Sequence, residues 1–319
     1  MSNEPIDVVI AWVDGDDPAH REKMRRYVKA KQESNESVAA PTRFRQVGEI
    51  FYCVASVLRF APFVRKIFIL TDGQNPQLDE FVDKHFPDRT TQIEIVDHKE
   101  AFRGYEKHLP VFNALSIETV VYAIPGLAEN FVYMNDDFML ARPVAPEEWF
   151  FGDGQFVARG RWRRQALFRL VSSLRPGDCS FKDCLMSAAQ KAGLKSRFLL
   201  ISHTPHAQKK SLLEKFYAQH PDVPEANLSH RFRHKSQYNP QALCYVLGLQ
   251  SGVCRLDSDR ELYMKPVGRG DGYVSKKIGE FNRNRPMSIC VQSLDMATEA
   301  DQRQVAAWLD GILGIDVKG

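Results

Sequence analysis

Short apolar runs rich in β-branched and aromatic residues alternate with helical patterns through the first half of the chain. A run of this kind, bounded by polar residues, is typical of a strand that is buried on both faces. The predicted strands cover residues 6–13, 66–71, 93–96 and 131–134. The predicted helices cover residues 18–31, 48–60, 77–85 and 111–122, and residues 31–42 form a predicted loop. This alternation predicts an α/β fold with a Rossmann-like, mostly parallel sheet between two layers of helices.

The pattern changes after residue 150. Residues 151–250 carry few strand signals and many basic side chains, which predicts a mainly helical insertion. Residues 251–319 combine a predicted strand, Glu261–Met264, with a closing helix whose N-cap is Thr298. The apolar face of that helix comprises Val305, Trp308, Leu309, Ile312 and Leu313. We expect a single domain over residues 1–319, with its α/β half in residues 1–150.

Composition and charge exclude several classes of protein. The 319 residues are 44% hydrophobic and 26% charged, unlike a disordered, collagen-like or coiled-coil chain. A net charge of +3 is too small to indicate a nucleic-acid partner. The apolar runs are far shorter than the roughly 18 residues of a membrane-spanning helix. Residues 1–5 also lack an apolar signal core, so we expect a cytoplasmic protein with reduced cysteines.

Acidic side chains follow three of the predicted strands directly. They are Asp14, Asp16, Asp17, Asp72, Asp136 and Asp137. Because the carboxyl ends of parallel strands meet at the ligand-binding edge of a sheet, we expect these side chains to converge. Converging carboxylates repel one another unless a cation neutralises them, and Mg²⁺ that also contacts substrate phosphates suits such a set. Turn formation and helix capping are the alternative explanation for each cluster.

Histidines and arginines cluster later in the chain. Residues 202–206 place His203 and His206 three positions apart. A second cluster in residues 229–234 contains His230, Arg231, Arg233 and His234. Arginine beside histidine suits a phosphate ligand, because the guanidinium binds two oxygens and the imidazole exchanges a proton near neutral pH. A zinc site for the histidines and a solvated basic face for the whole cluster are the alternatives.

A third basic feature interleaves arginines with aromatic residues. Its members are Arg159, Arg161, Trp162, Arg163, Arg164, Phe168 and Arg169. A solvated helix face is one interpretation, and a surface for an anionic polymer or an anionic lipid is the other. No P-loop, GxGxxG or GxSxG motif accompanies it.

Four separated segments carry a family resemblance. Residues 6–18 read IDVVIAWVDGDDP, close to IDVVxTWVDGxDP, with Ala11 in place of Thr. A second set lies in residues 43–138 and includes APFVRKIFILTDGQ and YMNDDF. A third pairs HTPH at residues 203–206 with HRFR at residues 230–233, and the fourth begins at Ile289 and Cys290. Together they resemble the Stealth family, the sugar-1-phosphate transferases of bacterial capsule synthesis, which includes the catalytic subunit of the lysosomal-enzyme GlcNAc-1-phosphotransferase.

The resemblance implies a glycosyltransferase-A-like core whose first 150 residues bind a nucleotide sugar. It also implies transfer of a hexose 1-phosphate, such as GlcNAc 1-phosphate, to an acceptor hydroxyl, with release of a nucleoside monophosphate. The implied partners are a UDP-linked donor and a capsule oligosaccharide or polymer acceptor. The implied location is the cytoplasm, with peripheral attachment to the inner membrane or the capsule machinery.

The resemblance also assigns roles to individual residues. Asp136 and Asp137 are implied to hold Mg²⁺ or Mn²⁺. Asp72 or His203 is implied to be the general base, and the choice stays open. The phosphate oxygens are assigned to Arg231 and Arg233, and the other substrate contacts to Trp12, Asp14, Gly15, Asp17, Arg45, Glu49, Gln74, Asn113, Glu118 and His206.

The fourth segment departs from the family pattern. Where relatives often have Cys-x-Asn-Asp, this chain has Gln292 and Ser293 after Cys290. Two alternative functions stay open on the sequence alone. One is a conventional glycosyltransferase that attacks the anomeric carbon and releases a nucleoside diphosphate. The other is a polysaccharide-binding protein without catalysis.

Overall fold

A computed structural model describes residues 4–28, 48–166, 168, 180–258 and 261–317 of the chain. Its strands are β1 (Ile6–Ala11), β2 (Lys66–Thr71), β3 (Gln92–Asp97), β4 (Asn130–Asn135), β5 (Phe138–Leu140), β6 (Phe156–Arg164), β7 (Arg197–Ile201), β8 (His206–Lys209), β9 (Cys254–Asp257), β10 (Glu261–Met264) and β11 (Ser288–Val291). Its helices are α1 (Pro18–Arg25), α2 (Glu49–Phe60), α3 (Asp79–His85), α4 (His98–Ala101), α5 (Ala114–Val120), α6 (Phe181–Lys191), α7 (Lys210–Gln219), α8 (Asp222–Leu228), α9 (Pro240–Ser251), α10 (Tyr273–Asn284) and α11 (Glu299–Leu313).

The central sheet confirms the α/β prediction. Its strand order is β3-β2-β1-β4-β8. The first four strands are parallel, and β8 joins the edge antiparallel to β4. Each predicted strand and helix of the first half is present, with its ends shifted by a few residues. The predicted loop over residues 31–42 lies outside the described residues.

Alternate positions of the central strands pack on opposite sides of the sheet. On one side, Val8 lies in register with Ile67 and Val132, and these side chains share a core with α2. The other side carries a second core, which α5 covers. Its strand residues are Val9, Phe68, Leu70, Phe131 and Tyr133. The sheet is therefore apolar on both faces, as the continuous apolar runs predict.

A buried carboxylate joins three strands at the amino edge of this sheet. Asp7 is fully buried in β1 and accepts hydrogen bonds from the Arg65 Nε at 2.9 Å and the Arg65 Nη2 at 2.6 Å. Asp7 also accepts from the Ala128 N–H at 2.7 Å, just before β4. Arg65 itself donates to the Gly126 carbonyl at 2.8 Å. These bonds hold the starts of β1, β2 and β4 at one level.

Two smaller sheets pack beside the central one. Their strand orders are β10-β11-β5 and β7-β6-β9. Asp136 and Asp137 are the residues between β4 of the central sheet and β5 of the next. The acidic pair is therefore a short link between two sheets.

The prediction of a mainly helical region over residues 151–250 leaves out three strands. That region contains β6, β7 and β8 besides its helices, and β8 belongs to the central sheet. The strand pattern of β6 is hidden because its first half is buried on both faces and its second half is rich in arginine. Gly160 marks the change, since β6 pairs with β9 before it and with β7 from it onward. A Cβ at Gly160 would lie 2.5 Å from the Leu200 carbonyl oxygen, so this close pairing requires glycine.

The C-terminal helix confirms its predicted N-cap and the inward orientation of its apolar face. The Thr298 side chain accepts from the Asp301 N–H at the start of α11, and Val305, Leu309 and Leu313 are buried in a core with β10 and β11. No helix within the described residues combines the length and apolar character needed to cross a bilayer.

We predict that Asp7→Asn lowers the free energy of unfolding by about 2–3 kcal/mol, because charge-assisted hydrogen bonds to a buried carboxylate are lost. Urea unfolding measures this change. Glu94→Gln is the matched control, since Glu94 makes an exposed ion pair with Lys66 in the same sheet. It should cost less than about 1 kcal/mol. Equal losses in the two variants would show that the Asp7 contacts stabilise no more than a surface ion pair.

Candidate active site

The loops after β1 and β2 are joined by one amide side chain. Gln74 Oε1 accepts from the Asp14 N–H at 2.8 Å, and Gln74 Nε2 donates to the Asp14 carbonyl and to Asp17 Oδ2, each at 2.9 Å. The bond from Gln74 is the main cause that lowers the pKa of Asp17. Asp17 also caps α1, and the Gly15 carbonyl accepts from Arg21. The predicted donor-binding loop is thus fixed to the second strand.

Asp72 lies in a polar cluster with the first helix. His20 Nδ1 lies 3.2 Å and Lys23 Nζ 2.8 Å from Asp72 Oδ2. Burial alone would raise the pKa of Asp72, but the hydrogen bonds from His20 and Lys23 hold it well below its usual value. A carboxylate stabilised in this way is a weak proton acceptor. The surroundings of Asp72 therefore suit positioning or binding better than general-base catalysis.

His98 is a second buried histidine near Asp72. Neither ring nitrogen of His98 has a hydrogen-bond partner within the described part of the chain. Burial lowers the pKa of His98 to about 4, against the opposing charges of Asp72 and Asp97. The ring is therefore neutral at physiological pH.

Three carboxylates crowd the link between the central sheet and its neighbour. Burial, followed by the negative charges of Asp137 and Glu49, raises the pKa of Asp136 well above its usual value. Burial and Glu49 raise the pKa of Asp137 to about 7. The Cys290 thiol of β11 donates to Asp137 Oδ2 over 3.8 Å. Asp137 Oδ1 is buried and has no hydrogen-bond partner among the described residues.

This arrangement fits a divalent cation. Within the described ranges, no group of three or more His, Cys, Asp or Glu side chains is arranged around a common metal position. Glu49 therefore acts through its charge, and Asp136 and Asp137 are the candidate ligands. Mg²⁺ commonly takes one or two protein carboxylates and fills its other positions with water and substrate phosphates. The oxygen of Asp137 without a hydrogen-bond partner among the described residues, and the repulsion among Asp136, Asp137 and Glu49, agree with such a site.

Asn113 holds the basic loop of residues 230–234 against the sheet. The Asn113 side chain caps α5 and donates to the His230 carbonyl at 2.7 Å. The Phe112 N–H donates to the Arg231 carbonyl at 2.6 Å. Gln237 completes the network through bonds to Asn113 and Ser116. Asn113 therefore positions the loop that carries the predicted phosphate-binding arginines.

Glu118 connects the same loop with β4. Burial raises the pKa of Glu118 to about 7, although the nearby charge of Arg233 lowers it. The Tyr133 hydroxyl lies 3.3 Å from Glu118 Oε1 and 2.9 Å from the Asn135 Oδ1. A chain of polar side chains thus runs from Arg233 to the residue that precedes Asp136.

Arg231 lines a surface cavity of about 490 Å³. Its guanidinium stacks on the Tyr27 ring, with its central carbon 4.6 Å from the ring centre. Across the cavity, the rings of His230 and His234 stack at 4.3 Å, and the Ser236 hydroxyl bridges them. The lining residues are Arg26, Tyr27, Ser229, His230, Arg231, Phe232, Arg233 and His234. The cavity is cationic and suits an anionic ligand.

The two histidines of residues 203–206 differ in their surroundings. His206 is buried, with its Nδ1 3.1 Å from the Tyr245 hydroxyl, and burial lowers its pKa to about 3. His203 is partly exposed between the rings of Phe181 at 5.3 Å and Tyr263 at 5.1 Å. Burial lowers the pKa of His203 as well, so it is neutral at pH 7. Of these two, His203 has partial access to solvent, and burial also lowers the pKa of the partly exposed His230.

The altered fourth segment lies beside His203. The Tyr263 hydroxyl donates to Gln292 Oε1, and the Gln292 N–H donates to the Met264 carbonyl at 2.9 Å. Gln292 therefore holds β10 and β11 together through Tyr263, the ring that contacts His203.

Apart from His203 and His206, most of the predicted residues fall into four groups. Asp14, Gly15, Asp17 and Gln74 form the first, Asp72 the second, Asn113, Glu118, Arg231 and Arg233 the third, and Glu49, Asp136 and Asp137 the fourth. Trp12 lies at the end of β1 with its buried indole Nε1 unpaired in the described structure. Arg45 lies outside the described residues.

Several site residues escape prediction from the sequence. His20 and Lys23 are three positions apart on α1, and that spacing is their only signal, because it places both on one helix face. His98 and Gln237 have no such signal. Their contacts come from elements distant in sequence.

Two family models match the chain in sequence order. Stealth protein CR1, conserved region 1, matches residues 4–32. Stealth protein CR2, conserved region 2, matches residues 43–157. The loops that carry Asp14, Asp72 and the Asp136–Asp137 pair all lie within these matches.

Similar proteins include two capsular polysaccharide phosphotransferases. One, fcs1 of Haemophilus influenzae, is 29% identical over 90% of this chain and 78% of its own length. The other, from Neisseria meningitidis serogroup B, is 31% identical over 75% of this chain and 62% of its own length. The exopolysaccharide phosphotransferase SCO6021 of Streptomyces coelicolor is 33% identical over 74% of this chain. The chain spans 42% of that protein, so it covers less than two thirds of two of these three relatives.

Solved glycosyltransferase structures resemble the chain at a greater distance. The galactosyltransferase LgtC, in complex with donor and acceptor sugar analogs, gives a TM-score of 0.44 at 12% identity over 97% of this chain and 95% of its own. The bifunctional WbbM gives 0.45 at 8% identity over 90% of this chain and 46% of its own. The chain thus carries two conserved regions of the Stealth family and is similar over most of its length to these phosphotransferases.

Proposed function

We propose that this protein transfers a sugar 1-phosphate from a nucleotide sugar to a hydroxyl of an acceptor saccharide. The observation that carries the proposal is the pairing of crowded carboxylates with an arginine loop at one sheet edge. Asp136 and Asp137 provide the acidic side, and Arg233 interacts electrostatically with Glu118 on the basic side. The phosphotransferase names of the similar proteins support the same reaction class.

The proposed reaction is an in-line displacement at phosphorus. The acceptor oxygen attacks the β-phosphorus of the donor, and the bond to the bridging oxygen breaks. The nucleoside monophosphate leaves with that electron pair, and the acceptor proton passes to a base of the protein. Arg231 and Arg233 would bind the phosphoryl oxygens as charge develops on them.

Asp136 and Asp137 would hold Mg²⁺, which supplies charge neutralisation for the phosphate oxygens. The loop joined by Gln74 would bind the nucleotide, and a UDP-linked donor is part of the proposal. The cytoplasmic location with peripheral membrane attachment stays a prediction.

His203 is the base that we propose. It is neutral at pH 7 and partly accessible, and two aromatic rings fix its orientation. Asp72 would instead orient α1 beside the donor-binding loop through His20 and Lys23.

The first prediction is the identity of the nucleotide product. Purified protein with Mg²⁺, a panel of UDP-, GDP- and CMP-sugars and capsule oligosaccharide acceptors should release a nucleoside monophosphate only when an acceptor is present. With a UDP-sugar, anion-exchange chromatography separates UMP from UDP. Release of a nucleoside diphosphate would contradict phosphoryl transfer and support attack at the anomeric carbon.

The second prediction concerns the metal. Asp137→Asn should raise the Mg²⁺ concentration for half-maximal activity at least tenfold, because one of two carboxylate ligands is lost. Mg²⁺ should raise the melting temperature of wild type, and the variant should lose this rise. In EDTA at pH 8 the variant should melt higher than wild type, because the repulsion from Asp136 and Glu49 is relieved. Glu147→Gln, which removes an exposed carboxylate, is the control and should match wild type in all three measurements.

The third prediction separates the two candidate bases. His203→Gln should lower kcat by about 10²–10⁴-fold and remove the acid limb of the pH–rate profile, because the proton acceptor is lost. Asp72→Asn should lower activity less and leave the acid limb in place, because the pKa of Asp72 lies far below that range. His220→Gln, at an exposed histidine, controls for loss of an imidazole. Retention of the acid limb in His203→Gln would exclude His203 as the base.

A further inference from the structure

The arginine run of the sequence does not form one surface. Arg159 is fully buried and donates from its Nη2 to the Glu148 carbonyl, so it has no access to a ligand in solvent. Arg169 lies outside the described residues. The remaining arginines lie on the second half of β6, which pairs with β7 as an antiparallel ribbon.

The two faces of this ribbon carry different residues. Because successive side chains of a strand point to opposite faces, Trp162 and Arg164 share one face and Arg161 and Arg163 share the other. The register places Arg197 of β7 directly opposite Arg164. The first face therefore adds an arginine that lies more than thirty positions away in the sequence.

Arg164 and Arg197 form a cross-strand pair of like charges. Both are exposed, and within the described ranges neither guanidinium has an ion-pair partner. Like charges directly opposite one another destabilise a strand pair. The Arg197 guanidinium stacks on the Trp162 ring, with its central carbon 4.2 Å from the ring centre. This stacking restrains one of the two charges and leaves its N–H groups for a ligand.

The backbone beneath the pair is fixed. Gln165 is buried, and its Nε2 donates to the Leu194 carbonyl at 3.0 Å and the Arg197 carbonyl at 3.1 Å. The Gln165 N–H also donates to the Ser196 carbonyl at 3.0 Å. The two guanidinium groups therefore project from a rigid part of the ribbon, which favours defined ligand geometry.

We propose that Trp162, Arg164 and Arg197 form a subsite for a phosphodiester of an anionic saccharide chain. The proposal rests on the proposed function, since a sugar-1-phosphate transferase makes saccharides joined by phosphodiesters. Two guanidinium groups on one face match the oxygens of one phosphodiester, and its negative charge offsets their repulsion. Charge complementarity thus favours the polymer as the occupant.

The subsite is distant from the proposed base but connected to it. Arg197 begins β7, and His203 follows six positions later. β7 is extended from Arg197 to Ile201 and spans about 13 Å, so Arg197 and the chain that leads to His203 lie at opposite ends of this strand. The subsite would therefore contact the body of a long acceptor chain and not the hydroxyl that reacts.

The test measures binding of poly(glycerol phosphate) in the absence of any nucleotide sugar, with neutral dextran of equal mass as the comparison probe. Arg164→Gln with Arg197→Gln should weaken binding at least tenfold at low salt. The matched control, Arg161→Gln with Arg163→Gln, removes the same charge from the opposite face of the ribbon. It should weaken binding less than threefold. Dextran should bind neither wild type nor the variants.

Thermal unfolding shows whether the two arginines have a structural role, because loss of such a role would lower the melting temperature. The Arg164→Gln, Arg197→Gln variant should melt at the wild-type temperature or above it, because the like-charge pair is gone. A lower melting temperature together with weaker binding would assign the arginines to stability and overturn the subsite.

Two further outcomes would also overturn it. Equal weakening in both double variants would mean diffuse attraction to net positive charge. Binding of phosphatidylglycerol vesicles that is lost in the Arg164→Gln, Arg197→Gln variant, with poly(glycerol phosphate) binding unchanged, would assign the face to a membrane. The binding test contains no nucleotide sugar, so its outcome is independent of the nucleotide-product assay. Loss of the subsite would not contradict phosphoryl transfer, and release of a nucleoside diphosphate would not change the measured binding of poly(glycerol phosphate).

Discussion

The hydrogen-bonded pair of Asp7 and Arg65 fixes the part of the structure on which the site depends. A carboxylate inside a sheet is costly unless its oxygens are fully hydrogen-bonded, and here Arg65 and the Ala128 N–H bond to them. The bonds join the starts of three parallel strands, so their registers are set together. Strands that start level also end level. The loops bearing Asp14, Asp72 and Asp136 therefore emerge at one edge without further adjustment.

Carboxylates at the two edges of the sheet have different surroundings. At the amino edge, Asp7 has a guanidinium and an amide as partners. At the carboxyl edge, Asp136, Asp137 and Glu49 repel one another, and burial adds to that cost. Because Asp136 and Asp137 form the short link between two sheets, the backbone prevents them from separating. The hydrogen bonds at the amino edge thus stabilise the sheet despite the repulsion at its carboxyl edge. A cation and a phosphate ligand would stabilise the carboxyl edge.

The sequence predicts the central sheet well because its strands are apolar on both faces and its helices carry clear caps and breaks. The convergence of acidic residues follows from topology alone, since parallel strands bring their carboxyl ends together. The partners of Asp72 could not be predicted, because a contact between α1 and the β2 loop depends on how the helix packs. β6 was also missed, because four of its nine residues are arginine and the apolar periodicity breaks at Arg159. The run of arginines also did not indicate that Arg159 is buried, or that the arginines from Arg161 to Arg164 are divided between the two faces of the ribbon.

β6 has different surroundings before and after Gly160, where its pairing partner changes. Before it, β6 is buried and pairs with β9. Beyond it, β6 pairs with β7, and its arginine side chains are exposed while Phe198, Leu199 and Ile201 of β7 pack in the main core. Substitution of the exposed arginines of the ribbon therefore removes no side chain from this core. On the proposed subsite, exchange of these arginines would change polymer binding while the acidic edge keeps its residues. Gly160 thus marks the boundary between the buried half and the arginine-rich, mostly exposed half of one strand.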